Sequence, residues 1–173
     1  MFKKILLLFF LVFLSFDASA KSKTNIFAYP REAPSSPIFN RYGQPFTLKD
    51  FAGDFLIVIF WSKTCIPCLR ELDDLSNFVK KTKNNHIKVI LVSPHEDWLF
   101  ENEQQALLQK YGGQNLDVYT DKKSALTTDF GIFTSPHTVL INADSMEIGR
   151  IRGSLDWDDD DVIEHIYEIK AQN

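Results

Sequence analysis

Residues 55–68, FLIVIFWSKTCIPC, decide the fold class of this 173-residue chain. The run from Phe55 to Trp61 is continuously apolar and rich in branched and aromatic side chains, which is typical of a strand buried on both faces of a sheet. Cys65 and Cys68 follow it, and from Pro67 onward apolar residues recur at steps of three and four, which predicts a helix. The stretch is therefore predicted to be a buried strand, a short loop carrying two thiols, and a helix.

Strands and helices alternate in the rest of the chain. Strands are predicted at 87–92, 116–119, 137–141 and 148–151, and helices at 99–111, 122–130 and 162–169. The last two strands form a predicted hairpin with its turn at 142–145. Because strands alternate with helices, the chain is predicted to be α/β, with one sheet covered by helices on both faces.

Composition excludes several classes of protein. The chain is 45% hydrophobic and 24% charged, which is ordinary for a globular domain and excludes a largely disordered or collagen-like chain. Its length suits one domain. The net charge of −4 gives no support to nucleic-acid binding, which needs a basic surface.

The N-terminal residues have the layout of a secretory signal peptide. Lys3 and Lys4 precede an apolar run over 5–16, and Ala18-Ser-Ala20 offers small residues before a cut after position 20. Residues 1–20 are therefore predicted to export the chain to the bacterial periplasm, either cleaved or retained as an inner-membrane anchor. Residues 21–37 are polar, contain three prolines, and are predicted to be a flexible spacer before a domain at 38–173.

The two cysteines are three residues apart at the start of a predicted helix. At that spacing both sulfurs face one side of the first turn, so a disulfide between them is feasible. The free N–H groups at the helix start favour a thiolate at Cys65, which would be the nucleophile, and Cys68 would resolve the mixed disulfide. Zinc would need two more ligands, and covalent haem would need histidine where Leu69 stands. A permanent structural disulfide remains an alternative at this point.

Several motifs accompany the cysteine pair in a fixed order. They are FTLKD at 46–50, FWSKTCIPC at 60–68 with Glu71 three residues later, GIFTSPHTVLIN at 131–142 and GSLDW at 153–157. From about residue 38 to about residue 170, this ordered set resembles the thioredoxin superfamily, and in particular its exported TlpA/ResA/CcmG branch. The resemblance implies a thioredoxin-like fold with a central mixed sheet flanked by helices on both faces.

The resemblance also implies roles for single residues. Cys65 would attack, Cys68 would resolve, and Glu71 would be a buried acid that adjusts the proton affinity of the pair. Pro136 would be a cis proline packed against the disulfide, and the Ser135 backbone would pair with an extended substrate peptide.

Trp61 and Pro67 complete the substrate-binding set that the resemblance implies. Apart from the resemblance, a carboxylate one turn beyond Cys68 faces the same side of the helix, although Glu71 could equally be a solvated surface residue.

The sequence departs from the superfamily's pattern in several places, among them Thr64, which stands where tryptophan is common. Asp73 replaces a helix proline, so a kink there is in doubt, and Ile59 stands where thioredoxin itself has a buried acid. His137 follows Pro136 where threonine or glutamate is more typical, so it is a candidate modulator of the thiols or a copper ligand. The alternative is a histidine that points away from the pair, because neighbouring strand residues face opposite sides.

The resemblance implies an exported thiol:disulfide oxidoreductase whose only cofactor is its own Cys65–Cys68 disulfide, with no metal. Its expected substrates are protein cysteines, such as those of apocytochrome c or of copper-site assembly factors. Its electrons would come from a membrane partner resembling DsbD or CcdA. The alternatives are an oxidase that inserts disulfides and a copper-delivery protein that uses Cys65, Cys68 and His137.

Overall fold

A computed structural model describes residues 23–100 and 102–173, so the predicted signal peptide at 1–20 lies outside the described residues. The strands are β1 Thr24–Glu32, β2 Ile38–Phe39, β3 Pro45–Phe46, β4 Phe55–Phe60, β5 Ile87–Pro94, β6 Asp117–Asp121, β7 His137–Ile141 and β8 Met146–Arg152. The α-helices are α1 Ile66–Arg70, α2 Leu72–Thr82, α3 Glu103–Lys110, α4 Ala125–Asp129 and α5 Asp160–Gln172. Short 3₁₀ turns lie at Leu48–Phe51, His95–Asp97 and Lys122–Ser124.

All eight strands form one mixed sheet in the order β1-β8-β7-β4-β5-β6-β2-β3. The quoted apolar run is β4, and all six of its residues are buried. It pairs in parallel with β5 and antiparallel with β7, so it lies in the interior of the sheet. The predicted buried strand, the mixed sheet and the hairpin of β7 and β8 are confirmed.

Helices cover both faces of the sheet, as predicted. Ile57 and Ile59 of β4 belong to a hydrophobic cluster with side chains of α1, α2, α3 and α5, whereas Val58 and Phe60 belong to a second cluster with α4. Alternate residues of a strand point to opposite faces, which explains this division. The face that carries α1 is called the redox face below, because Cys68 packs into its cluster.

The predicted spacer at 21–37 is wrong for residues 24–32, which form the edge strand β1 against β8. Seven of the nine side chains of β1 are exposed, so the strand lacks the apolar alternation by which strands are identified. Its pairing is also interrupted, because residues 27–30 lie between the paired Ile26 and Arg31 and include a proline. The ordered domain therefore begins by Thr24 and not at residue 38.

The predicted helix after the cysteines is divided in two. α1 ends at Arg70 and α2 begins at Leu72, because Glu71 has φ −91° and ψ 0°. The helix is thus interrupted two residues before Asp73, although no proline stands there. The break lies at the acid that the sequence marked as a partner of the cysteines.

The helix predicted at 99–111 is shorter, because α3 begins only at Glu103. Leu99 and Phe100 lie in the preceding loop and are 77% and 75% exposed. None of the helices within residues 23–100 and 102–173 has the length and hydropathy of a membrane span.

Candidate active site

Cys65 and Cys68 are joined by a disulfide at the start of α1. The sulfur–sulfur distance is 2.09 Å and the Cα atoms are 5.3 Å apart. Cys65 is the N-cap residue of α1, and the backbone N–H of Cys68 donates to the Cys65 Sγ over 3.3 Å. Cys65 is half-buried, whereas Cys68 is only 1% exposed. Only Cys65 is therefore open to an incoming group, and an N–H directed at its sulfur favours the thiolate form.

The loop before β7 contains the proline that the resemblance marked. The Ser135–Pro136 peptide bond is cis, as implied by the resemblance. Pro136 is buried and Ser135 is exposed. The carbonyl of Pro136 accepts a hydrogen bond from the Gly153 N–H over 3.0 Å, and Gly153 has φ +78°, a conformation that favours glycine. Pairing of the Ser135 backbone with a substrate stays a prediction.

Glu71 is a buried acid, as the resemblance implies. Its side chain is 4% exposed, and its Oε2 accepts a hydrogen bond from the Leu155 N–H over 3.1 Å. Burial raises the pKa of Glu71 to about 8, with a further increase from the Asp74 carboxylate, while the Leu155 N–H and the Lys23 ammonium oppose the shift. The Trp157 indole also opposes the increase in this pKa, although its N–H makes no hydrogen bond of normal geometry with any described residue.

A carboxyl with a pKa near neutral pH suits proton transfer. It accepts and returns a proton at little cost, which is the property required of a general acid and base. Glu71 lies one helical turn after Cys68, so the resolving thiol is the nearer of the two thiols in the chain.

The three residues 153–155 connect the parts of the site and are called the bridging loop. The Gly153 N–H donates to Pro136, the Ser154 carbonyl accepts from the Lys23 Nζ over 2.7 Å, and the Leu155 N–H donates to Glu71. The GSLDW motif therefore has a structural reason, because its backbone holds both the cis-proline loop and the buried acid. Trp157 anchors the motif against Phe78, with ring centroids 5.4 Å apart.

The structure places the other two members of the predicted substrate-binding set differently. Pro67 is exposed on α1, where a substrate can reach it. Trp61 is only 1% exposed, and its ring packs on Trp98 with centroids 5.6 Å apart. The expectation that Trp61 contacts substrate is corrected, because its side chain points into the cluster on the redox face.

His137 lies on the other face of the sheet. It shares its side of β7 with Val139 and Ile141, which pack with α4, whereas Cys68 packs on the redox face. It is 5% exposed, and its buried Nε2 has no hydrogen-bond partner within residues 23–100 and 102–173. Burial, followed by the charges of Arg150 and Arg152, lowers the pKa of His137 to about 4. The structure does not bring His137 together with the thiols, which favours the alternative that it points away from them.

Lys63, in the loop before Cys65, makes two long-range hydrogen bonds that the sequence does not predict. The Lys63 backbone N–H donates to Asp97 over 3.1 Å, and its Nζ donates to Glu103 over 2.8 Å. These bonds attach the loop before Cys65 to the turn after β5 and to the first residue of α3. The partners are 34 and 40 residues away, so no local pattern reveals them.

The model of the AhpC/TSA family matches residues 30–165. Thiol-disulfide oxidoreductase ResA of Bacillus thuringiensis subsp. konkukian is 27% identical over 124 residues, which cover 71% of this chain and 69% of that protein. A thiol:disulfide interchange protein from Bacteroides sp. superposes with a TM-score of 0.67 at 19% identity, covering 84% of this chain and 91% of that one. StoA from Bacillus subtilis superposes with a TM-score of 0.60 at 19% identity, covering 80% and 98%.

Proposed function

The chain belongs to the AhpC/TSA family and is a thiol:disulfide oxidoreductase of thioredoxin fold, and from this premise we propose that it is exported and reduces disulfides of other proteins. The observation that carries the proposal is the pairing of a half-exposed Cys65 with a buried Cys68 that precedes a buried acid by one turn. An inert disulfide requires neither a reachable sulfur nor an acid whose pKa is near neutral.

The first step is attack by the reduced enzyme. The Cys65 thiolate attacks one sulfur of the substrate disulfide and forms a mixed disulfide, and the other substrate sulfur leaves as a thiolate that takes a proton from water. The Cys68 N–H stabilises the attacking thiolate, since it is directed at Cys65 Sγ. The exposed Ser135 and Pro67 flank the region where the substrate chain would lie.

The second step resolves the mixed disulfide. The Cys68 thiol gives its proton to Glu71, and the resulting thiolate attacks the Cys65 sulfur. The Cys65–Cys68 disulfide forms, and the substrate's second sulfur leaves as a thiolate. Two electrons have then passed to the substrate, and the proton rests on Glu71. Reduction by a donor reverses these steps, with Glu71 protonating the departing Cys68 sulfur.

The expected substrates and donor follow from the resemblance. Substrates are protein cysteines of the apocytochrome c or copper-site assembly kind, and the donor is a membrane dithiol protein resembling DsbD or CcdA. The predicted signal peptide places the dithiol in the periplasm, either soluble or attached to the inner membrane. Copper delivery is not favoured, because His137 lies on the opposite face of the sheet from Cys68.

The test is a trapping experiment in exporting cells. Cys68→Ala leaves the attacking thiol without a resolving partner, so mixed disulfides with substrates should accumulate and be released by reducing agent. The double variant Cys65→Ala and Cys68→Ala is the matched control and should trap nothing. Identification of the trapped proteins names the substrates.

A measured reduction potential decides the direction of the reaction. Reductants of this fold lie near −270 mV and strong oxidants near −120 mV, so a value above about −150 mV would contradict the reductase role. An absence of trapped species in Cys68→Ala, with the protein folded and exported, would contradict disulfide exchange altogether.

A further inference from the structure

Lys23, the first described residue, lies against the redox site. Its carbonyl accepts a hydrogen bond from the Arg152 N–H over 3.3 Å, which continues the pairing of β1 with β8 by one residue. Its Nζ donates to the Ser154 carbonyl over 2.7 Å. The residue is therefore attached to the end of β8 by its backbone and to the bridging loop by its side chain.

The bridging loop is the element through which a remote residue can act on Glu71. Ser154 lies between Gly153, which binds the carbonyl of Pro136, and Leu155, which donates to the Glu71 carboxyl. A displacement of Ser154 therefore moves the Leu155 N–H, which is the only backbone N–H that the described residues direct at Glu71. Because Glu71 is buried, solvent water can replace that hydrogen bond only if the bridging loop opens.

We propose that Lys23 is a positioning residue of the redox site, which holds the bridging loop against Glu71 and places a positive charge near that carboxyl. The inference rests on the proposed function, because it assumes that Glu71 moves a proton to and from Cys68. It assigns a role in the chemistry to residues that the sequence predicted to be a spacer.

The charges around Glu71 agree with this placement. Lys23 approaches from the N-terminal side, Asp74 from α2, and the Leu155 N–H and the Trp157 indole from the segment before α5. Among these, Asp74 raises the pKa of Glu71, whereas Lys23, Leu155 and Trp157 lower it. Lys23 is thus the cation that counters the neighbouring carboxylate, and its removal should make Glu71 harder to ionise.

The test compares Lys23→Met and Lys23→Arg with the wild type. Methionine keeps the length and apolar stem of the side chain without its charge, and arginine keeps both charge and donor. Lys49→Met is the matched control, because Lys49 is an exposed lysine far from the site. Its Nζ forms an ion pair over 3.7 Å with the Oε1 of Glu32, at the opposite end of β1 from Lys23. All four proteins keep Cys65, Cys68 and Glu71.

Two measurements are made on the full secreted chain. One is the titration of Glu71 by NMR of carbon-labelled glutamate, and the other is the pH dependence of the reaction of the reduced protein with oxidised glutathione. In Lys23→Met the pKa of Glu71 should rise by about half a unit, and the rate at pH 7 should fall about threefold. Lys23→Arg and Lys49→Met should match the wild type.

The outcomes separate the two proposals. If Lys23→Met titrates and reacts as the wild type does, Lys23 has no positioning role. An equal fall of the rate at every pH with an unchanged Glu71 titration also overturns it, because that pattern indicates general loosening of the fold. If the wild-type protein itself exchanges no disulfide, the proposed function fails, while the Glu71 titration still tests the contact of Lys23.

Discussion

Each face of the sheet buries an ionisable side chain whose pKa is strongly shifted, but only one of the two side chains belongs to the redox site. Glu71 on the redox face and His137 on the other face are 4% and 5% exposed. Burial drives both toward the neutral form, because it raises the pKa of Glu71 to about 8 and lowers the pKa of His137 to about 4.

The neighbours of the two groups differ. Glu71 follows the resolving cysteine by one turn and accepts an N–H from the bridging loop. His137 lies near the ion pair of Arg150 with Glu147, whose Nε and Oε1 atoms are 2.5 Å apart. Its Nε2 has no hydrogen-bond partner in the part of the chain that the structure describes. Pro136 and His137 are consecutive in the chain, so proximity in sequence to the cis proline does not bring a residue to the thiols. Strand parity decides which side chains join the site.

The largest expected effect is that of Glu71→Gln on the rate. Glutamine keeps the acceptor for the Leu155 N–H but cannot take a proton from Cys68. The rate of oxidation of the reduced protein by a model disulfide at pH 7 should fall about 100-fold. Its pH profile should also lose the inflection near pH 8 that belongs to the pKa of Glu71.

Glu147→Gln is the control for this prediction, because it neutralises a buried acid of the opposite face. Compared at equal concentration of folded protein, it should react like the wild type. Equal losses of rate in the two variants would contradict proton transfer by Glu71, because they would show that removal of either buried acid slows the reaction through the fold.

The next effect is an opposite dependence of stability on pH at the two faces. Glu71 binds a proton more tightly in the folded chain, so its contribution is present below pH 4.5 and is lost as the pH rises through about 8. His137 binds a proton less tightly when folded, so its contribution is present above pH 6.5 and is lost as the pH falls through about 4. Each loss should amount to about 2–4 kcal/mol in the free energy of unfolding.

Urea unfolding of oxidised protein between pH 4 and pH 9 checks these signs. Glu71→Gln should remove the fall of stability on the alkaline side, and His137→Phe should remove the fall on the acid side. His137→Phe should leave the rate with a model disulfide within about twofold of wild type, since Phe60 and Phe130 form an apolar neighbourhood on that face. A loss of activity in His137→Phe would restore the modulator role.

The smallest expected effect concerns the edge of the redox face. Gly149 of β8 pairs with Ile26 of β1. A Cβ added to Gly149 would lie 2.7 Å from Ile26 Cδ1 and 2.8 Å from the Asn25 carbonyl oxygen. Gly149→Ala should lower the free energy of unfolding by about 1–2 kcal/mol and speed amide exchange in β1. Ile26→Val in the same chain should recover part of the loss. Unchanged amide exchange in β1 would contradict the close approach of β1 to Gly149.

The sequence predicts the interior of this molecule better than its margins. The fully buried β4 was predictable because its apolar run is long and unbroken. The strand His137–Ile141 has a shorter apolar run and was predictable because a turn and a second strand follow it. β1 was not, because an edge strand held by backbone hydrogen bonds needs no apolar pattern. The break at Glu71 was also hidden, since the apolar spacing continues across it.

The candidate site shows the same division. Cys65, Cys68 and Glu71 lie within seven residues, so one local pattern contains them. Lys23 lies 131 residues before its partner Ser154, and Glu103 lies 40 residues after its partner Lys63. No local sequence pattern indicates either hydrogen bond. The apolar run predicts that Trp61 is buried, whereas the substrate role that the resemblance implied for it was wrong, and its packing on the distant Trp98 has no local signal.

The single disulfide of this protein has a consequence for its kinetics. With two cysteines in the whole chain, each molecule carries one pair of electrons and has no second dithiol from which to reload. Donor and substrate must therefore visit the same half-buried Cys65 in turn. Steady-state turnover should follow a ping-pong scheme, in which an excess of the oxidised substrate protein slows reloading by the donor by occupying the sulfur that the donor has to reach.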